Sequence, residues 1–412
     1  MSIEASVAME APPRPRLRED GVEALRGLAA LMVLYCHTLA PMTELDPRYR
    51  PSALFWRFET GQGAVLLFFV ISGYVIGLTN SGPFSPGRAR KYLRRRAVRL
   101  LPLYWIAIGL SVLSRPRDSL GSVVDNLLFL QNGLPYFHWH ASILASNSNL
   151  WSLNYEVVYY LAFLVVWQLE WRPGIVAAAC GLVSALGFFW TAVPGFLTCY
   201  AGGGVFWFAG LWLARRPQPI SITGEAEPWP ALLLLYVATW KLKPTFLLLH
   251  RLGVPIPDHW VGLIYFDFLP VCVALLAIAS GRRFRGWRTA KWLCLALPAG
   301  YFAWRASRGL LFEDPNFHVP LALTVAAAAL WWWRPALVGI ARMAAVGSIS
   351  YAIYIFQRPV QWFVLDWIPL PAGSAASFSI RMVVFLILTF AVAYLMEHVL
   401  QPRVNRAFKG SR

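Results

Sequence analysis

Charge is scarce in this chain. Of its 412 residues only 14% are charged, against roughly a quarter in a soluble domain. With 58% hydrophobic residues, the chain is neither disordered nor collagen-like, nor an ordinary soluble enzyme. Its composition is that of a polytopic membrane protein. Cysteine is sparse as well. Cys36, Cys180, Cys199, Cys272 and Cys294 lie in apolar stretches without CxxC spacing, which argues against a disulfide framework or a zinc site, so no metal is expected. Residues 1–20 lack the apolar core and cleavage site of a removable signal peptide. No fixed-period repeat and no soluble domain stands out. Acidic residues are the minority, 20 Asp+Glu against 37 Lys+Arg, for a net charge of +17. In a membrane chain that excess reads as basic loops against anionic lipid, and no nucleic-acid partner is expected.

Apolar windows and aromatics are abundant. The 20 tryptophans suit belts at the membrane interfaces. Windows able to cross about 30 Å of hydrocarbon fall at about 22–42, 63–80, 97–113, 150–169, 173–192, 196–214, 230–249, 262–280, 290–305, 316–333, 345–365 and 378–400. The window at 230–249 is interrupted by Lys241 and Lys243 before Pro244. The fold class is therefore all-α, a polytopic bundle of ten to twelve helices. A tail spans 1–20, the membrane domain 21–400 and a basic tail 401–412. With the N-terminus inside, 24 basic residues fall in inside segments and 8 in outside ones, so both termini are expected to be cytoplasmic. The largest outside loop, about 114–149, carries His138, Trp139 and His140 and reads as a wet, aromatic interfacial loop.

Ionisable groups inside a membrane helix cost several kcal/mol unless paired or solvated. Arg26 and His37 are eleven residues apart, about three helical turns and about 16 Å of rise, so they share a face. Arg26 is expected at the cytoplasmic interface and His37 near mid-membrane. Glu156 is expected at a similar depth in another helix, where its carboxylate would fix the imidazole tautomer and raise its pKa, as a general base requires. The alternative is structural: a snorkelling arginine, with His37 and Glu156 bonded to neighbouring helices. Arg96 and Arg99, in a basic run from Lys91, share a face able to grip phosphates; plain topology is the competing reading. Ser72 and Gly73 allow close helix approach.

Taken together these segments resemble the acyltransferase 3 family of integral-membrane acyltransferases. Arg26-Gly27-Leu28-Ala29-Ala30 through His37 resembles its opening motif. Phe68-Phe69-Val70-Ile71-Ser72-Gly73-Tyr74 matches a second, and Arg95-Arg96 through Pro102-Leu103-Tyr104-Trp105 a third. Trp151-Ser152-Leu153-Asn154-Tyr155-Glu156 with Tyr159-Tyr160 matches its Trp-x-Leu-x-x-Glu motif. Ser350-Tyr351-Ala352-Ile353-Tyr354 resembles a late segment. Where the family often has His-x-Pro, this chain has Gln357-Arg358-Pro359. The short basic tail resembles the stand-alone members, without a fused hydrolase-like domain.

The resemblance implies transfer of an acyl group, usually acetyl, from acetyl-CoA as co-substrate to a hydroxyl of a carbohydrate or cell-surface glycan. The expected setting is a bacterial inner membrane, with membrane lipid around the bundle. His37 and Glu156 are the expected catalytic pair. Arg26, Arg95, Arg96, Arg99 and Tyr104 are expected at the donor, and Ser72, Trp151 and Asn154 at the substrate. A transporter or flippase is the other class that buries Arg, His and Glu along a path.

Overall fold

The computed structural model describes residues 16–39, 45–115, 117–131, 142–190, 192–216, 227–254, 263–335 and 342–409. Among them all regular structure is helical. In chain order the helices are α1 Arg16–Thr38, α2 Ala53–Trp56, α3 Gly61–Thr79, α4 Pro86–Ser114, α5 Leu120–Leu127, α6 Trp151–Gln168, α7 Pro173–Phe189, α8 Gly195–Ala214, α9 Trp229–Leu242, α10 Pro244–Arg251, α11 Leu269–Ser280, α12 Trp287–Ser307, α13 His318–Ala329, α14 Ala344–Ser348, α15 Ser350–Trp367, α16 Ala375–Tyr394 and α17 Gln401–Lys409. A 3₁₀ turn, Ala145–Leu150, leads into α6, and a π turn, Leu395–Leu400, joins α16 to α17.

Each of the twelve apolar windows coincides with helix. Six helical stretches are long and apolar enough to cross a membrane: Ala53–Thr79, Pro86–Ser114, Ala145–Gln168, Gly195–Ala214, Trp229–Arg251 and Ala375–Phe408. Pro173–Phe189 and Tyr265–Ser280 are shorter apolar helices. The molecule is an integral-membrane, all-α bundle. The interrupted window at 230–249 is two helices, because Lys243 adopts a left-handed backbone (φ 46°) between α9 and α10 and Pro244 starts the next helix.

Missing side chains let helices meet. A Cβ on Gly73 would lie 1.9 Å from the Trp207 carbonyl oxygen, and one on Gly210 would lie 1.9 Å from that of Val70. The two glycines thus form a reciprocal crossing between α3 and α8. A Cβ on Gly347 would lie 1.9 Å from the Glu23 carbonyl oxygen, and one on Gly27 2.8 Å from the Gly347 nitrogen. This second crossing sets Arg26 beside the start of α15.

Prolines sit inside α4, α12 and α15 (Pro102, Pro298 and Pro359), and each frees a carbonyl four residues earlier. A freed carbonyl needs a donor from elsewhere in the protein, because hydrocarbon offers none. Pro359 frees Ile355, whose oxygen accepts from Asn147 Nδ2 at 3.0 Å. Pro102 frees Val98, whose oxygen accepts from Gln401 Nε2 at 2.9 Å.

The described parts of the 114–149 region mix exposed apolar residues with buried polar ones. Asn126, Gln131, Leu144, Asn147 and Asn149 are buried, and Gln131 Nε2 donates to the Leu150 carbonyl at 3.0 Å. Its His138, Trp139 and His140 lie outside the described residues.

Candidate active site

A cavity of about 410 Å³ opens between α1, α3, α4, α6, α15 and α17. Arg26, Arg95, Arg96 and Arg99 line it, as do Ser72, Ser152, Glu156, Tyr160, Tyr354 and Asn405. Its walls between these polar groups are apolar, with Val65, Phe68 and Phe69 from α3. All four expected donor arginines therefore reach one space, although they come from two helices.

The four differ in what they bond. Arg26 Nη1 pairs with Glu23 at 2.9 Å, one turn earlier on α1. Arg99 makes a two-point pair with Glu397, whose Oε1 accepts from Nη2 at 2.9 Å. Glu397 sits in the π turn, and its side chain is 4% exposed. The Arg99 guanidinium carbon lies 5.3 Å from the centre of the Tyr351 ring. Among the described residues no carboxylate pairs with Arg95 or Arg96, and Arg96 Nε is buried without a hydrogen-bond partner.

Glu156 shares this cavity. Its Oε1 accepts from Ser72 Oγ at 2.8 Å and from the hydroxyl of Tyr160, one turn along α6. Tyr354 continues the hydroxyl array by bonding Ser152 Oγ at 2.7 Å and the Asn149 carbonyl at 2.6 Å.

His37 does not meet Glu156. It stands in the last turn of α1 rather than mid-helix, is not among the residues lining the cavity, and no hydrogen bond joins the two. The similar depth expected for the two counts Glu156 from the start of the 150–169 window, whereas the 3₁₀ turn before α6 is itself buried and extends the helical stretch back to Ala145. His37 belongs with α15. Gln361 Nε2 donates to the His37 carbonyl at 3.1 Å, and Gln361 Oε1 accepts from Arg358 Nη1 at 3.1 Å. The imidazole Nδ1 is buried without a hydrogen-bond partner. Arg358 and Gln361 were missed by sequence reasoning, although the polar run Gln357-Arg358-Pro359 in an apolar helix was a signal.

Three other expected site residues are engaged in packing. The Tyr104 hydroxyl donates to the Asn126 carbonyl at 2.8 Å and accepts from Gln131 at 2.9 Å, and its ring stacks on Phe129 with centres 4.3 Å apart. Asn154 donates to the Phe129 carbonyl and accepts from the Tyr200 hydroxyl. Trp151 packs edge-on against Tyr155 at 5.5 Å. None of the three lines the cavity. Ser72 does, as the partner of Glu156. Among the described residues no group of His, Cys, Asp and Glu could hold a metal ion.

The acyltransferase domain model matches residues 19–398. The chain belongs to the acyltransferase 3 family. The family match covers every motif singled out above, from Arg26 to Tyr354. Among curated proteins, acyltransferase MdmB of Streptomyces mycarofaciens is 30% identical over 187 residues, which is 41% of this chain and 46% of its own length. The exopolysaccharide production protein ExoZ of Rhizobium meliloti (strain 1021) is 28% identical over 140 residues, 31% of this chain and 41% of its own length. The chain thus matches less than half the length of either relative. No solved structure matches.

Proposed function

We propose that this protein is a membrane O-acyltransferase that moves an acyl group, acetyl in the first instance, from acyl-CoA to a hydroxyl of a carbohydrate or cell-surface glycan. The observation that carries this reading is the polarity of the cavity. Four arginines line it, and its other polar side chains are a carboxylate, hydroxyls and the Asn405 amide. Arginine suits phosphate, so the arginine-lined mouth takes the nucleotide and diphosphate of the donor. A pantetheine arm, neutral and narrow, suits the apolar walls. The name of the exopolysaccharide-related relative supports a glycan as acceptor. We place the protein in a bacterial inner membrane with both termini cytoplasmic, so that the mouth opens where acyl-CoA is made.

In this reading the acceptor oxygen attacks the thioester carbonyl. A C–O bond forms and the C–S bond breaks. A sugar hydroxyl is a poor nucleophile at neutral pH until a base takes its proton. We assign His37 as that base, with the thioester end of the donor reaching past the cavity lining to the last turn of α1; it takes the hydroxyl proton and returns it to the departing CoA sulfur. Glu156, held by Ser72 and Tyr160, bears on the donor arm rather than on the imidazole.

Purified protein incubated with acetyl-labelled CoA and a soluble oligosaccharide tests the proposal. Labelled ester on the sugar and stoichiometric free CoA are expected. Intact thioester, together with movement of the sugar across a vesicle membrane, would overturn it in favour of a transporter.

A further inference from the structure

A chain of contacts leads from a proline in α4 to the rim of the cavity. Pro102 has no N–H, so the Val98 carbonyl has no helical partner. Gln401 Nε2 donates to it at 2.9 Å. A carbonyl only accepts, and this fixes which end of the Gln401 amide is nitrogen. The same nitrogen donates to Asn405 Oδ1 at 3.1 Å. The Asn405 amide is thereby fixed in turn: its oxygen faces Gln401 and its NH₂ is left over. Asn405 lines the cavity with Arg95 and Arg96. Nearby, the Arg99–Glu397 pair pins the preceding π turn to α4, and Arg94 donates to the Phe408 carbonyl. Helix α17 is thus held against α4 along its whole length.

We propose that Asn405 is a donor-binding residue, its NH₂ oriented by Gln401 to donate to a phosphate oxygen of the acyl-CoA. The inference rests on the acyl-CoA reading above and extends the donor site into α17, beyond the 19–398 family match. The groups gathered at this rim are two guanidinium groups that have no carboxylate partner among the described residues and an amide NH₂, all of which only donate. Phosphate oxygens only accept, so a phosphate satisfies all three. Gln401 does not reach the ligand; it is a positioning residue, and the carbonyl freed by Pro102 positions it.

The test is direct binding of CoA and of pantetheine, which lacks the phosphates, to the full-length protein. Asn405→Asp keeps the side-chain shape but replaces the NH₂ with a carboxylate oxygen. Asn405 is exposed at the rim, so the variant is expected to fold, with an unchanged melting profile. CoA affinity should fall about tenfold or more while pantetheine affinity stays the same. Gln401→Leu should lower CoA affinity less, and Asn405→Ala should cost less in that background than in the wild type. If CoA binding in Asn405→Asp is unchanged, or if CoA and pantetheine weaken equally, Asn405 does not read phosphate. Equal cost of Asn405→Ala in both backgrounds would remove the role of Gln401. If the unaltered protein does not bind CoA, it is the acyl-CoA reading itself that falls.

Discussion

The arginine-lined mouth and the His37 region satisfy their polar groups in opposite ways. At the mouth, Arg26 and Arg99 have carboxylate partners, while Arg95 and Arg96 have none among the described residues. Around His37 the backbone is held firmly by Gln361, but the ring keeps a buried nitrogen without a partner. Each region therefore pairs a fixed framework with a polar group left available. At the mouth the available groups are charges, to which the proposed function gives donor binding; at His37 the available group is a ring nitrogen, to which it gives proton transfer. Arginines in the same cavity should accordingly not behave alike when replaced.

The sharpest break of this comparison is His37→Ala. Loss of a general base costs roughly 10²- to 10⁴-fold in turnover, while CoA binding should be unaffected. Turnover and donor binding measured on one preparation check this, and wild-type turnover would end the assignment of the base. Next is Arg99→Ala, which leaves the buried Glu397 carboxylate without its partner. A loss of about 3 kcal/mol of stability is expected, partly restored by adding Glu397→Ala. Arg95→Ala should leave stability unchanged and weaken CoA instead. Thermal unfolding in detergent beside a CoA titration separates the two, and equal behaviour of the arginines would erase the distinction.

Glu156→Gln should have a smaller effect, because the amide oxygen can still accept from Ser72 or Tyr160. Turnover is expected to fall about tenfold, in keeping with one weakened charge-assisted hydrogen bond, with CoA affinity near normal.

The last effect lies outside both regions and is on stability alone. Burial raises the pKa of Asp46, but backbone N–H groups of Gly373, Arg48 and Tyr49 and the Arg381 guanidinium outweigh it and hold the carboxyl below its ordinary value. A carboxylate with a lowered folded pKa adds stability that is full above its unfolded pKa of about 3.9 and is lost as pH falls through the folded one. Asp46→Asn should therefore melt lower than wild type at pH 7, and the gap should close only below about pH 4. A gap that stayed constant to pH 3 would show that charge is not what matters there.

The helices were legible because membrane insertion is a local, additive property of an apolar window. Arg26 and the run from Arg95 to Arg99 were legible for the same reason, as costly charges flanking such windows. The partnership of His37 and Glu156 was not, because it depended on counting depth from the start of the 150–169 window, and a buried 3₁₀ turn precedes that window. Tyr104 and Asn154 lie within family motifs yet serve packing, which only their hydrogen bonds reveal. Gln401 and Asn405 went unread because they sit in a segment that looks like a polar tail, and Glu397 because it closes the apolar 378–400 window, where the sequence names no partner for it.

By itself the sequence determined the class: scarce charge, long apolar windows and the ordered motifs between Arg26 and Tyr354 leave an all-α membrane bundle of one family, since hydrocarbon tolerates no other arrangement of these segments. Only the tertiary structure decided which polar groups are engaged and which are available. That depends on contacts between residues far apart in sequence, such as Arg99 with Glu397 and Val98 with Gln401. A glutamate in a π turn and a carbonyl freed by a proline acquire their meaning only when the last helix folds back against the fourth.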